Sequence, residues 1–215
     1  MPVMLEWAEY TKFFLALLVI VNPVGAVPLF VSMTEQHTVD EKRRIARVAS
    51  AAVAIVLILA AIAGQPLLAF FGITMASFKV GGAILILLLA ISMMHASPTG
   101  EKQTPEEARE AEDKESIAVV PLAIPLLTGP ATISTVVIYA EQAHTVLQLA
   151  LLIAYGVVIA LATALCLSTA EVIARVLGRT GINVMTRLMG LILAALAVEV
   201  MALGLIKLFP ALGPP

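Results

Sequence analysis

The sequence predicts an all-α polytopic membrane protein, with six transmembrane helices in a 3+3 inverted repeat whose first and fourth spans are broken by Pro/Gly motifs. Three observations carry that expectation. Of 215 residues, 60% are apolar, 13% are charged and the mean hydropathy is +1.02, whereas an ordinary soluble domain has about 25% charged residues. Six apolar stretches follow one another, each long enough to cross the roughly 30 Å of hydrocarbon that takes about 20 helical residues. Lys and Arg concentrate in alternate connections, as cytoplasmic loops require.

The first stretch, 13–33, follows an N-terminus that holds Glu6 and Glu9 but no Lys or Arg in its first nine residues. A cleavable signal peptide opens with positive charge, so this stretch is expected to remain as a span. The second and third, 47–66 and 74–95, are apolar on all sides, unlike the alternating strands of a membrane β-barrel. Residues 97–116 then carry seven carboxylates and three bases, the composition of a solvated linker. That linker divides one membrane domain, 1–215, into a first three-helix repeat, 1–96, and a second, 117–215. The fourth, fifth and sixth stretches, 117–140, 146–170 and 186–208, complete the second repeat.

Charge sets the expected topology. Lys42, Arg43, Arg44 and Arg47, then Lys102, Arg109 and Lys114, then Arg175, Arg179 and Arg187 fall in three connections on one side, against Lys12, Lys79 and Lys207 on the other. The positive-inside rule puts the linker in the cytoplasm and both termini outside. The halves also share a pattern: Gly72-Ile73-x-x-x-Ser77-x-x-x-Gly81 recurs as Gly181-Ile182-x-x-x-Thr186-x-x-x-Gly190, offset by 109 residues. Three spans per half make the second copy enter from the opposite side, so the repeat is inverted.

The first stretch contains Val21-Asn22-Pro23-Val24-Gly25-Ala26-Val27-Pro28, and the fourth contains Val120-Pro121-Leu122-Ala123-Ile124-Pro125-Leu126-Leu127-Thr128-Gly129-Pro130. A proline inside a helix removes a donor and clashes with the carbonyl four residues earlier, costing about 3 kcal/mol or more. Pro23 and Pro28 are expected to free the carbonyls of Val19 and Val24, and Pro125 and Pro130 those of Pro121 and Leu126. Lipid offers such groups no hydrogen bond, so the breaks must face protein or a wet cavity. One proline is explained as a packing kink. Two clusters at corresponding places, each with glycine and small polar residues (Asn22; Thr128, Thr132, Ser134, Thr135), point instead to discontinuous helices meeting near the midplane around a solute. The candidate substrate-binding residues are therefore Asn22, Pro23, Gly25 and Pro28, with Pro125, Thr128, Gly129, Pro130, Thr132 and Ser134.

These motifs carry a resemblance. Asn22-Pro23-x-Gly25-x-x-Pro28-x-Phe30, Pro121-Leu122-Ala123-x-Pro125-Leu126-x-x-Gly129-Pro130 and Gly181-Ile182-Asn183-Val184-x-Thr186-Arg187-x-x-Gly190 look like those of the MarC family, six-span inner-membrane proteins of bacteria and archaea named for a multiple antibiotic resistance locus. The resemblance covers essentially the whole chain. It implies the bacterial inner membrane, kinship with LysE-type exporters, and transport of small neutral amino acids such as glycine and alanine rather than drug efflux. Ala131 departs from relatives that often have another glycine there, and its methyl group narrows such a site.

Glu199 lies in the middle of the sixth stretch, where a carboxylate costs about 2.5–3.5 kcal/mol to insert. It is expected to face the bundle interior, either as a coupling residue for H+ or Na+ or as a hydrogen bond tying helices together. Lys79 and Arg187 are expected to snorkel at span ends, and Glu141 and Glu171 to be wetted. His37, His95 and His144 are too scattered for a metal site, the lone Cys166 allows no intramolecular disulfide, and no catalytic or cofactor motif occurs. A net charge of −2 gives no sign of nucleic acid as a partner. The leading expectation is a secondary transporter whose partners are the lipid bilayer, a small solute and a coupling ion. A passive channel and a non-transporting membrane partner or sensor subunit are the alternatives, and the oligomeric state is not legible.

Overall fold

In hydrocarbon, backbone N–H and C=O groups must find one another, and an α-helix achieves this within one segment. The computed structural model describes residues 7–95 and 127–212, and among them no strand occurs. The helices are α1 (Trp7–Val21), α2 (Val27–Met33), α3 (Val39–Phe70), α4 (Met75–Met94), α5 (Pro130–Glu141), α6 (Val146–Ser168) and α7 (Ala170–Leu208), with a 3-10 turn at Pro210–Leu212. The linker 97–116, Pro121 and Pro125 lie outside the described residues. Four helices, α3, α4, α6 and α7, are long and apolar enough to cross a membrane, and they match the second, third, fifth and sixth apolar stretches. The first stretch is divided between α1 and α2, and the described part of the fourth is the short α5.

Side-chain caps decide where several helices begin. Thr38 starts α3 with a reciprocal capping box, its hydroxyl accepting from the Glu41 N–H while Glu41 Oε2 accepts from the Thr38 N–H at 2.9 Å. The helix therefore starts well before residue 47 and carries Lys42 through Arg47 on its first turns. Thr145 caps α6 through a capping box with Gln148, and Thr74 caps α4 by accepting from the Ser77 N–H. The connection expected between the fifth and sixth stretches is itself helical, because α7 begins at Ala170 and is interrupted only at Gly178 (φ 62°), a conformation glycine adopts without strain.

α4 packs along α7, α3 along α6, and α5 lies on both α3 and α4; α1 rests on α5, α6 and α7, and α2 on α6 and α7. Glycines set the closest approaches, as is usual where membrane helices meet. Gly190 of α7 sits where a Cβ would come 2.9 Å from the Ala90 carbonyl oxygen of α4, and Gly82 of α4 where a Cβ would meet Ser134 Cβ of α5 at 2.9 Å. α5 is buried on nearly every side, with Ala131, Thr132, Ser134 to Ile138 and Ala140 all enclosed. A helix enclosed in this way is the centre of a bundle.

Ion pairs mark the two ends. Lys42 of α3 meets Glu171 at the start of α7. At the other end, Lys79 of α4 reaches Glu141 at 2.6 Å, and Lys207 of α7 reaches the same carboxylate at 3.5 Å. Lys79 and Glu141 are thus partners, with side chains only 13% and 25% exposed, where snorkelling and wetting were expected. Burial works to raise the Glu141 pKa, but the Lys79 hydrogen bond and the charges of Lys79 and Lys207 outweigh it and hold the carboxyl below its ordinary 4.5.

Two predictions follow from this packing. Gly81 and Gly190 are equivalent in the sequence repeat, yet a Cβ at Gly81 meets nothing within 4 Å. Gly81→Ala should leave thermal stability in detergent unchanged or slightly raised, whereas Gly190→Ala should lower it by about 1–3 kcal/mol through overpacking. Because the Glu141 pKa is lowered on folding, its stabilisation is fully present above the unfolded value and is lost as pH falls through the folded one. The melting-temperature gap between wild type and Glu141→Gln should therefore be widest near neutrality and close as pH is taken below 4.5.

Candidate functional site

At the first break the chain leaves the helix because Asn22 adopts a left-handed conformation (φ 44°), which asparagine tolerates better than most residues. Its N–H still closes the last turn of α1 on the Leu18 carbonyl at 3.0 Å. Its side-chain oxygen accepts from the Gly25 N–H at 3.2 Å, so the amide stands in for a missing backbone partner. Gly25 is required there, since a Cβ would run into Asn22 Nδ2. The Val24 carbonyl, expected to be free, accepts from the Val27 N–H at 3.1 Å. Pro28 lies in the first turn of α2, where a helix has no use for the missing N–H.

The chain enters α5 through a second non-helical pair, Thr128 and Gly129. Gly129 (φ −68°, ψ 176°) is the N-cap of α5 and Pro130 its first residue. The Gly129 carbonyl accepts from Ile133 N–H at 3.1 Å. The Leu127 carbonyl accepts from the Thr132 hydroxyl at 3.3 Å, and that of Ala131 from Thr135 Oγ1 at 2.9 Å. Pro28 and Pro130 therefore lie in the first turns of α2 and α5, where neither interrupts the helix it belongs to.

Aromatic stacking sets the register between the two. Phe13 of α1 packs on Tyr139 of α5, ring centroids 4.7 Å apart. Nine residues onward from Phe13 is Asn22, and nine back from Tyr139 is Pro130. At 1.5 Å per helical residue, both breaks lie about 14 Å from that ring pair. Val21, Ala26 and Val27 share one buried apolar cluster with Leu127, and Val19 and Ile20 share another with Ala131.

A cavity of about 440 Å³ opens between α1 and α7, running from Lys12 to Asn22, Pro23 and Val24 and walled on the far side by Met185, Met189, Ile192 and Leu196. Its size falls within the range of small-molecule sites, and apart from Lys12 and Asn22 its walls are apolar. The hydroxyls of Thr128, Thr132, Ser134 and Thr135 are buried nearby and do not line it.

Residues 7–209 match the family described as MarC family integral membrane protein. The chain belongs to the MarC family. The UPF0056 membrane protein YhcE of Escherichia coli is 39% identical over 96% of both chains. The UPF0056 membrane protein of Aquifex aeolicus is 36% identical over 94% of this chain and 96% of its own, and one from Methanocaldococcus jannaschii is 33% identical over 93% and 88%. No solved structure matches.

Within this MarC family protein the expected site residues separate into groups. Asn22 and Pro23 line the cavity and Gly25 supports the Asn22 amide; Thr128, Thr132 and Ser134 are buried in or beside α5, with Gly129 capping it. Pro28 and Pro130 are exposed, and Pro125 lies outside the described residues. Glu199 is a correction: it is exposed on α7 and does not face the interior. The packed face of α7 carries Gly190, Leu193, Ala197 and Gly204, and two residues beyond Ala197 is a 200° turn to the far side. Its side chain makes no hydrogen bond or ion pair among the described residues.

Sequence reasoning missed the α7 wall of the cavity, Met185 through Leu196, and gave Lys12 no place in a site. The Asn22 turn is directly testable. Asn22→Ala should lower stability by about 1 kcal/mol, as loss of a capping side chain does. Gly25→Ala should do so even with Asn22 intact, both read by thermal unfolding in one detergent.

Proposed function

We propose that this protein is a secondary transporter of small solutes, most favourably small neutral amino acids, working by alternating access of two inverted three-helix halves. The observation that carries this reading is the non-helical break between α1 and α2 beside the start of α5, with a proline in the first turn of each helix that follows. Broken helices at membrane depth are the usual building blocks of solute sites in transporters.

The packing supports the inverted repeat. Exchanging the first apolar stretch with the fourth, the second with the fifth and the third with the sixth leaves the main packing pairs unchanged. α3 pairs with α6 and α4 with α7, and α5 lies on α3 and α4 as α1 and α2 lie on α6 and α7. Six crossings in alternating directions then put the Lys42 to Arg47 end and the 97–116 linker in the cytoplasm, and both termini outside a bacterial inner membrane.

The chemistry of the breaks supports the solute class. No Asp, Glu, Lys, Arg or His occurs in 13–33 or 117–140, so a solute there meets an amide, hydroxyls, carbonyls and helix ends. Such a site suits a zwitterion with no net charge, its carboxylate toward the N-terminus of α5 and its ammonium toward carbonyl oxygens. A gradient of H+ or Na+ supplies the driving force.

Uptake of labelled alanine and glycine into proteoliposomes tests the proposal. Saturable accumulation that requires an imposed proton or sodium gradient, and falls about tenfold or more in Thr132→Val, is the expected result. Equilibration without accumulation would make the protein a passive channel, and no uptake by folded protein would remove these solutes.

A further inference from the structure

Glu199 is left over by the site just described, and its surroundings indicate a partner. The span of α7 runs from Arg187 to Lys207, twenty-one residues or about 30 Å, and Glu199 lies near its middle. Its level is also fixed by packing: Gly190 lies against Ala90 and Met93, and Gly204 against Ala76 and Val80. The antiparallel register between α7 and α4 thus sets Glu199 level with Gly81 and Gly82. Deep in hydrocarbon, a carboxyl on an outward face has no water, and Glu199 meets no partner among the described residues; such residues are found paired.

The face around it has a definite geometry. Leu188, Ile192, Ala195, Glu199, Ala202 and Ile206 are spaced by 4, 3, 4, 3 and 4 residues and all are exposed, with Ile192 at the edge this face shares with the cavity beside α1. That 3.5-residue period keeps one seam turned toward a neighbouring helix when two helices cross at a shallow left-handed angle. Glu199 stands near the centre of the seam, where crossing helices come closest. Ala195 and Ala202, one turn to either side, leave room for a second backbone. The apolar members of the seam are satisfied by lipid, and only Glu199 demands more.

We propose that the protein is a two-fold homodimer in the membrane, joined through this outer face of α7, with Glu199 of each copy hydrogen-bonded to Glu199 of the other. A carboxylic acid is both donor and acceptor, so two copies of one residue facing each other across a two-fold axis satisfy each other with no other group required. An unrelated partner would need a matching polar group at the same depth, whereas a second copy brings it by symmetry. The proposal is independent of what, if anything, the protein transports.

The test is cross-linking in native membranes, in a Cys166→Ser background. Ala195→Cys and Ala202→Cys should each give a disulfide-linked species of twice the monomer mass on mild oxidation, while Leu161→Cys on α6 should not. Purified wild type and Glu199→Gln, whose amide also donates and accepts, should both sediment as dimers in mild detergent. Glu199→Leu should dissociate at least tenfold more readily. Cross-linking at Leu161 equal to that at Ala195, a species of another mass, or a Glu199→Leu dimer as tight as wild type would overturn the proposal.

Discussion

A break in a helix at hydrocarbon depth releases amides and carbonyls that lipid cannot hydrogen-bond, and here the chain leaves helical geometry between α1 and α2 and again at Thr128 and Gly129, just before α5. Much of the bundle can be read as the means of satisfying them. Asn22 turns left-handed and offers its own amide to Gly25. The Thr132 hydroxyl takes the Leu127 carbonyl. Proline sits in the first turn of each following helix, at a position where a backbone donor would have had no partner.

The placement of α5 follows from the same constraint. A segment with an interrupted backbone must be enclosed by protein, and α5 is enclosed by α3 and α4 with α1 across its front. Enclosure demands close approach, which Gly64 and Gly82 provide against Val137 and Ser134. The continuous helices α3, α4, α6 and α7 satisfy their own backbones and can stand at the periphery, showing large apolar side chains such as Leu161, Leu165 and Leu191 to the surroundings. The ion pairs of Lys42 with Glu171 and of Glu141 with its two lysines fall at opposite ends of this frame, where water is available to charged groups.

The breaks were legible in the sequence because Pro and Gly act through the backbone, independently of what surrounds them. The class of fold was legible for a similar reason, since length and apolarity alone define a span. Facing was another matter. α7 is apolar around its whole circumference, so Glu199 looked like a residue that must turn inward. The small residues Gly190, Ala197 and Gly204 were the signal that marked the packed side and placed Glu199 opposite it. The Val24 carbonyl was expected to be left without a donor by Pro28, but the turn that leads into α2 supplies one from the Val27 N–H. Partners distant in the chain, such as Lys79 and Glu141, leave no local trace at all.

The central claim is that both breaks belong to one solute site. Single cysteines at Val24, on the cavity wall, and at Pro130, exposed at the start of α5, can be labelled with a water-soluble maleimide in reconstituted protein lacking Cys166. Saturating alanine or glycine should slow labelling at both positions together and leave an outer-face cysteine at Leu161 unaffected. Protection at one break without the other, or at neither while Leu161 responds equally, would contradict the account.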